Sequence, residues 1–235
     1  MRRNWLIIAV VVGCIAVGAA LYLTADKQPR AIAKEAAEVQ CRNNLRLIAL
    51  ALKNYHADHG SLPPAYIADA DGTPLHSWRV LLLPFLVDES EHELYAEYRF
   101  DEPWNGPNNG RLVARIPHVF RCSKETYYSM PPKTSCFAVV GDKTFWPGSE
   151  PAAMRSTIDD RAKILLVEVG DSGIDWTEPK DLEFDQMTFQ INAKSGRGIR
   201  SSHPRGAYVA FADGRVELLT RRSESDIKRM LLVTP

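Results

Sequence analysis

Residues Trp5 to Leu23 form an uncharged run of 19, in which only Gly13 and Gly18 fall outside the apolar set. As a helix rising about 1.5 Å per residue the run covers roughly 28 Å, close to the hydrocarbon thickness of a bilayer. We read 5–23 as a single transmembrane anchor. Arg2 and Arg3 precede it and Lys27 is the first positive charge after it. The positive-inside rule then keeps residues 1–4 cytoplasmic and places the rest outside, in the periplasm of an inner-membrane protein. The competing reading is a cleavable signal peptide, because Gly18-Ala19-Ala20 supplies small residues for cleavage. The run, however, exceeds the usual apolar core of about 7 to 15 residues in a signal peptide.

The remaining chain has material for one globular body. Of 235 residues, 45% are apolar, and 29 basic side chains balance 29 acidic ones. A neutral chain lacks the excess of Lys and Arg that phosphate neutralisation needs, so nucleic acid is excluded as a general partner. The balance is uneven along the chain. Asp88 to Glu102 holds seven acids against Arg99, Asp159 to Asp185 nine against three basic residues, and Lys194 to Arg229 nine basic residues against four acids. Such segregation suits head-to-tail contact between subunits or pairing within one sheet.

After a polar break at 24–29, the stretch Arg30 to His59 contains no Gly or Pro and predicts one long helix, stopped by Gly60, Pro63 and Pro64. Cys41, Leu45, Ile48, Leu52 and Tyr55 share one face, which we expect to pack on a sheet. Ser77 to Leu86 is an apolar run that suits a buried strand or a short helix. Asp88 to Glu97 predicts an amphipathic helix, and Val119–Cys122, Ser135–Val140 and Ala162–Val169 predict strands. Asp213-Gly214 between two alternating runs predicts a hairpin with a two-residue type I′ turn. Ser225 is placed to cap a closing helix. The expected class is α+β with an antiparallel sheet: anchor, helix over 24–59, then a domain over 60–235.

Four landmarks carry a resemblance. They are Cys41 to His56 (CRNNLRLIALALKNYH), Ser77 to Pro84 (SWRVLLLP), Pro103 to Asn109 (PWNGPNN) leading to Cys122, and His203 followed after nine residues by Asp213-Gly214. Together they resemble the pilin-like proteins abundant in planctomycetes, catalogued as domain of unknown function 1559. The resemblance implies the architecture of type IV pilins and type II secretion pseudopilins, an N-terminal helix half in the membrane and half on an antiparallel sheet. It also implies other pilin-like subunits or secretion machinery as partners. The prepilin pattern itself is not matched, since Arg3-Asn4-Trp5 enters the run with no Gly at the junction and no Glu inside it.

Motifs for hydrolases, metalloproteases and nucleotide binding are missing, and we expect no enzyme and no cofactor. His56, Asp58 and His59 form the most zinc-like cluster but read equally as a polar helix end. Asp171 and Asp175 lie in an acidic stretch that resembles part of a calcium loop without its full spacing. His203 and Asp213 fall at opposite ends of one strand and read as structural. Cys14 lies in the anchor, which leaves Cys41, Cys122 and Cys136, with Cys41–Cys122 and Cys122–Cys136 both open as disulfides. The expected role is that of an anchored, non-enzymatic protein of the cell envelope working through protein contacts. The alternative is a module on the same anchor binding glycan, peptide or calcium through exposed aromatic loops at Trp104, Trp146 and Trp176.

Overall fold

The computed structural model describes residues 27–122, 133–151, 162–194 and 196–233. The apolar run 5–23 and Cys14 lie outside them. Among the described residues no helix is long and apolar enough to cross a membrane. The chain divides into two units, Met1–Val39 and Gln40–Pro235, and the features described below lie in the second, except for the first part of the helix that begins at Lys27.

In chain order the elements are α1 (Lys27–His59), β1 (Tyr66–Ala68), β2 (Pro74–Ser77), α2 (Trp78–Leu81), α3 (Glu89–Glu97), α4 (Asn109–Leu112), β3 (Cys136–Phe137), β4 (Val139–Val140), β5 (Ile164–Glu168), β6 (Leu182–Glu183), β7 (Ala207–Phe211), β8 (Val216–Leu219) and α5 (Glu224–Leu231). The class is α+β. The main sheet has the order β3-β5-β7-β8 with every neighbouring pair antiparallel, while β1 and β2 form a hairpin and β4 and β6 a short parallel pair.

Helix α1 begins ahead of the expected Arg30 and takes in Pro29, which a first turn tolerates because the N–H that proline lacks would have no intrahelical partner there. It ends as expected, with Gly60 at φ +75° donating its N–H to His56 O. Its stripe is buried: Cys41, Leu45, Ile48 and Leu52 share one core with Leu166 of β5 and Tyr208 and Ala210 of β7, and Tyr55 packs against it. A second core fills the other face of the sheet, where Val167, Val209 and Phe211 meet Ile227 and Leu231 of α5. Every residue of β5 and β7 is therefore buried. This explains why Ile164 to Val167, within the Ala162–Val169 stretch, is continuously apolar rather than alternating.

The local expectations divide. Ser77 caps α2 by accepting from Arg79 N, so the ambiguous run is helical, continuing into a 3-10 turn at Leu83–Phe85. Asp88 caps α3 through Ser90 N. Val119–Cys122 is not a strand: His118–Phe120 is a 3-10 turn, and its buried apolar residues imitate a strand in sequence. Ser223, not Ser225, caps α5.

The hairpin β7–β8 exists, but its turn differs from the expected type I′. Gly214 N bonds Phe211 O and Phe211 N bonds Arg215 O, closing a three-residue loop with only Gly214 (φ +89°) at positive φ. A type I turn followed by a left-handed glycine needs no positive φ at Asp213 and forms a bulge that matches the strand twist. Asp213 instead accepts from Arg215 N and Nε, and Arg215 also pairs with Glu217. Part of the basic C-terminal segment is thus neutralised by its own neighbours, Arg229 pairing likewise with Asp226.

Candidate functional site

Helix periodicity places Asn44 beside Cys41 on the buried face of α1, one turn along. Asn44 donates from Nδ2 to His118 O at 3.0 Å and Arg121 O at 2.9 Å, while its Oδ1 accepts from Gln40 Nε2. These bonds hold the loop that carries Cys122 against the helix, and Cys41 and Cys122 form a disulfide across 81 residues of sequence. Of the two open pairings the structure adopts this one. Cys136 is buried with its Sγ donating to Val119 O.

Behind the disulfide lies His203. The loop before β7 is shaped by Asn192 (φ +54°), whose Oδ1 accepts from Ser201 N, and by Ser201 Oγ, which accepts from His203 N. His203 Nε2 is thereby placed 3.7 Å from Cys122 Sγ and 3.4 Å from Glu168 Oε1 at the end of β5. The other oxygen, Glu168 Oε2, accepts from Tyr208 N at 3.0 Å. Cys41, Cys122, Glu168 and His203 are all at least 96% buried, with exposures of 4%, 2%, 3% and 1%. His203 thus meets β5 and the disulfide, while Asp213 serves the turn at the far end of β7.

The other landmarks also resolve into polar clamps. Arg79 donates to Asp181 at 2.7 and 3.3 Å, to Cys136 O at 2.8 and 3.0 Å and to Ser77 Oγ at 2.9 Å, with its guanidinium over the Trp78 ring. Asp181 also accepts from Trp78 Nε1 and Ala138 N. Asn109, fully buried, donates to Arg99 O, Glu102 O and Pro103 O and accepts from Arg99 N, which shapes the PWNGPNN turn. The Glu102 carboxylate accepts from Asn108 N and Asn109 N, and those bonds to the charged form hold its pKa below the ordinary range.

One surface groove stands apart from these clamps. It encloses about 430 Å³ between Leu47 of α1, Leu86, Val87, Val119 and the residues Asp88, Glu91 and His118. Val87 is 80% exposed, whereas the Glu91 side chain is buried with Oε2 unbonded and Oε1 3.9 Å from His118 Nδ1. Burial raises the Glu91 pKa, the neighbouring Asp88 raises it further, and His118 opposes both. The groove therefore joins an apolar wall to a carboxyl that lacks a hydrogen-bond partner on one oxygen, a setting for an apolar group with an adjacent cation.

The remaining expected site residues are not brought into it. Asp175 accepts from Lys133 Nζ at 2.7 Å and Asp171 sits exposed at φ +49°. Among the described residues two groups have ligand atoms close enough for a shared ion, Cys41/Cys122/Glu168/His203 and Asp88/Glu91/His118. Neither includes Asp171, Asp175 or the 56–59 cluster, where His59 stacks on Tyr55 instead. The expectation of exposed aromatic loops is overturned for two of three tryptophans. Trp146 and Trp176 are buried and donate to Leu165 O and Val113 O, so their rings fill the core while the indole N–H is satisfied by backbone. Trp104 is half-buried.

Sequence reasoning missed Asn44, Arg79, Glu91, Asn109, Glu168 and Asp181. Asn44 was open to discovery, since it falls on the apolar stripe at i+3 from Cys41, and Asn109 works within its own landmark turn; Arg79, Glu91, Glu168 and Asp181 depend on contacts distant in sequence.

These features define a disulfide-stapled α+β domain in which the second part of a long helix shares its core with an antiparallel sheet. The family model described as "Protein of unknown function (DUF1559)" matches residues 32–167, more than half of the chain, and the chain belongs to that family. The match takes in Cys41, Arg79, Asn109 and Cys122 and ends before His203. No curated protein and no solved structure matches the chain.

Proposed function

We propose that the chain is a membrane-anchored, pilin- or pseudopilin-like protein of the cell envelope, non-enzymatic, working through protein contacts outside the cytoplasm. The observation that carries this reading is the buried Cys41–Cys122 disulfide. Such bonds persist in oxidising compartments and are rare where the glutathione and thioredoxin systems act. The apolar run 5–23 with Arg2 and Arg3 ahead of it supports export of the domain on a retained anchor. The contact surface in this reading is the Leu47/Val87/Glu91 groove, and its occupant is a partner segment presenting an apolar side chain next to Lys or Arg, which complements Asp88 and Glu91.

The test is expression of the full chain in a Gram-negative bacterium, followed by fractionation, external proteolysis of spheroplasts and thiol labelling. The expected result is a chain that begins at Met1, resists extraction with carbonate, is digested from outside and has Cys41 and Cys122 unlabelled. A soluble cytoplasmic chain with both thiols labelled would overturn the reading, and a mature N-terminus near Leu21 would remove the anchor from it.

A further inference from the structure

The cluster Cys41, Cys122, Glu168 and His203 offers two sulfurs, a carboxylate oxygen and an imidazole nitrogen, all within 4.8 Å of one another. This is a zinc donor set, and four protein ligands with no open position characterise a structural rather than a catalytic site. The residues come from four separate places: α1, the loop after the 118–120 turn, the end of β5 and the loop before β7. Their convergence is built by the fold and not by local sequence.

A disulfide alone does not call for the acid beside it. Glu168 is 97% buried, and its Oε1 makes no hydrogen bond, lying 3.4 Å from His203 Nε2. Taking a carboxylate out of water costs several kcal/mol in effective terms unless a cation or donors compensate. Beside the cluster a small void of about 10 Å³ is lined by Cys41, Cys122 and Glu168 together with Asn44 and Cys136.

We propose that the reduced chain holds one Zn²⁺ at Cys41, Cys122, Glu168 and His203, and that formation of the Cys41–Cys122 bond expels it. The site then has two states, a disulfide and a zinc tetrad, exchanging at one place in the core. In the forward step a dithiol reductant gives two electrons and two protons and becomes a disulfide, while the Cys41–Cys122 bond breaks to two thiols. Entry of Zn²⁺ releases both thiol protons to solvent, since thiolates are the ligands. Two thiolates and the Glu168 carboxylate then face the dication, and neutral His203 completes the tetrad. Oxidation runs the step backwards: the sulfurs lose two electrons to a disulfide oxidant, bond to each other and release the metal. The proposal concerns the chemistry of the cluster and does not depend on where the chain resides.

The test uses the full chain in detergent micelles with Co²⁺ as the probe and a phosphine as reductant, which takes oxygen from water and leaves no competing thiol. Wild type and the variants Cys136→Ser and Glu168→Gln are purified oxidised, so folding is verified by circular dichroism before reduction. Reduced wild type is expected to bind one Co²⁺ per chain with thiolate-to-cobalt charge-transfer absorption that Zn²⁺ abolishes. Cys136→Ser should keep that band, Glu168→Gln should weaken binding by at least about tenfold as one ligand is lost, and oxidised wild type should show no band. The proposal is overturned if reduced wild type gives no charge-transfer band, if Cys136→Ser removes it, or if Glu168→Gln binds as tightly as wild type. Should Glu168→Gln not fold, the wild-type and Cys136→Ser titrations decide alone.

Discussion

Arg79 and Asp181, separated by 102 residues, meet in the core at 2.7 Å with 0% and 2% of their side chains exposed. All three Arg79 nitrogens have acceptors, and both Asp181 oxygens have donors. The pair ties α2 to β3 and to the loop before β6, which makes the Ser77-Trp78-Arg79 landmark a knot between distant segments.

Removing one partner leaves the other charge buried and uncompensated, which costs about 3–5 kcal/mol. Arg79→Met and Asp181→Asn are each expected to lower the unfolding free energy of the oxidised domain by that order in urea titrations. The double variant Arg79→Met/Asp181→Leu should recover much of the loss, because no lone charge remains. Additive losses in the double variant would show that the hydrogen bonds to Cys136 O, Ala138 N and Trp78, rather than the charges, dominate.

The disulfide closes a loop of 81 residues. Loop-closure entropy for such a length corresponds to about 4.5 kcal/mol of stabilisation in the chain-entropy account. Reduction in the presence of a chelator, or the Cys41→Ser/Cys122→Ser variant, is expected to lower stability by that order. An unchanged urea midpoint on reduction would mean that Asn44 and the surrounding core already hold the 118–122 loop in place.

His76 is 1% exposed, with Nδ1 2.9 Å from Tyr98 Oη. Burial lowers its pKa from the ordinary value, and a backbone contact at Phe100 opposes this more weakly. The folded state therefore binds this proton less readily than the unfolded chain. The stabilisation is complete above the unfolded pKa of about 6.5 and is lost as pH falls from there toward the lower folded value. The stability of wild type relative to His76→Gln should fall when pH is taken from about 7.5 to about 5.5. A pH-independent difference between their urea midpoints would show that His76 takes up its proton without cost in the fold.

The face of α1 was legible because Cys41, Leu45, Ile48 and Leu52 repeat with helical spacing, and the hairpin because Asp213-Gly214 divides two alternating runs. The turn type was not, since Asp-Gly satisfies both a two-residue loop and a three-residue loop with glycine last, and strand register decides between them. Val119 and Phe120 misled because a buried 3-10 turn and a short strand share the same apolar signature. Trp146 and Trp176 misled because Gly, Pro and acidic neighbours look like exposed loop, whereas the rings are core. His203 was singled out, yet its partners Glu168 and Cys122 lie on other strands and loops, where no local pattern points to them.

The groove gives the remaining prediction. Glu91 must be ionised to attract a cation, and burial together with Asp88 raises its pKa above the ordinary carboxylate range. A leucine-rich peptide amide carrying one lysine is expected to bind the domain near neutral pH, and acidification should abolish binding at a higher pH than an exposed glutamate would dictate. Glu91→Gln should weaken the peptide several-fold and remove that pH dependence. Val87→Ser, at a position 80% exposed, should weaken binding without changing stability, because the methyl groups it removes face the groove and not the core. Replacing the peptide's lysine by glutamate should abolish binding. Equal affinity for both peptides would show that the groove selects only for apolar surface.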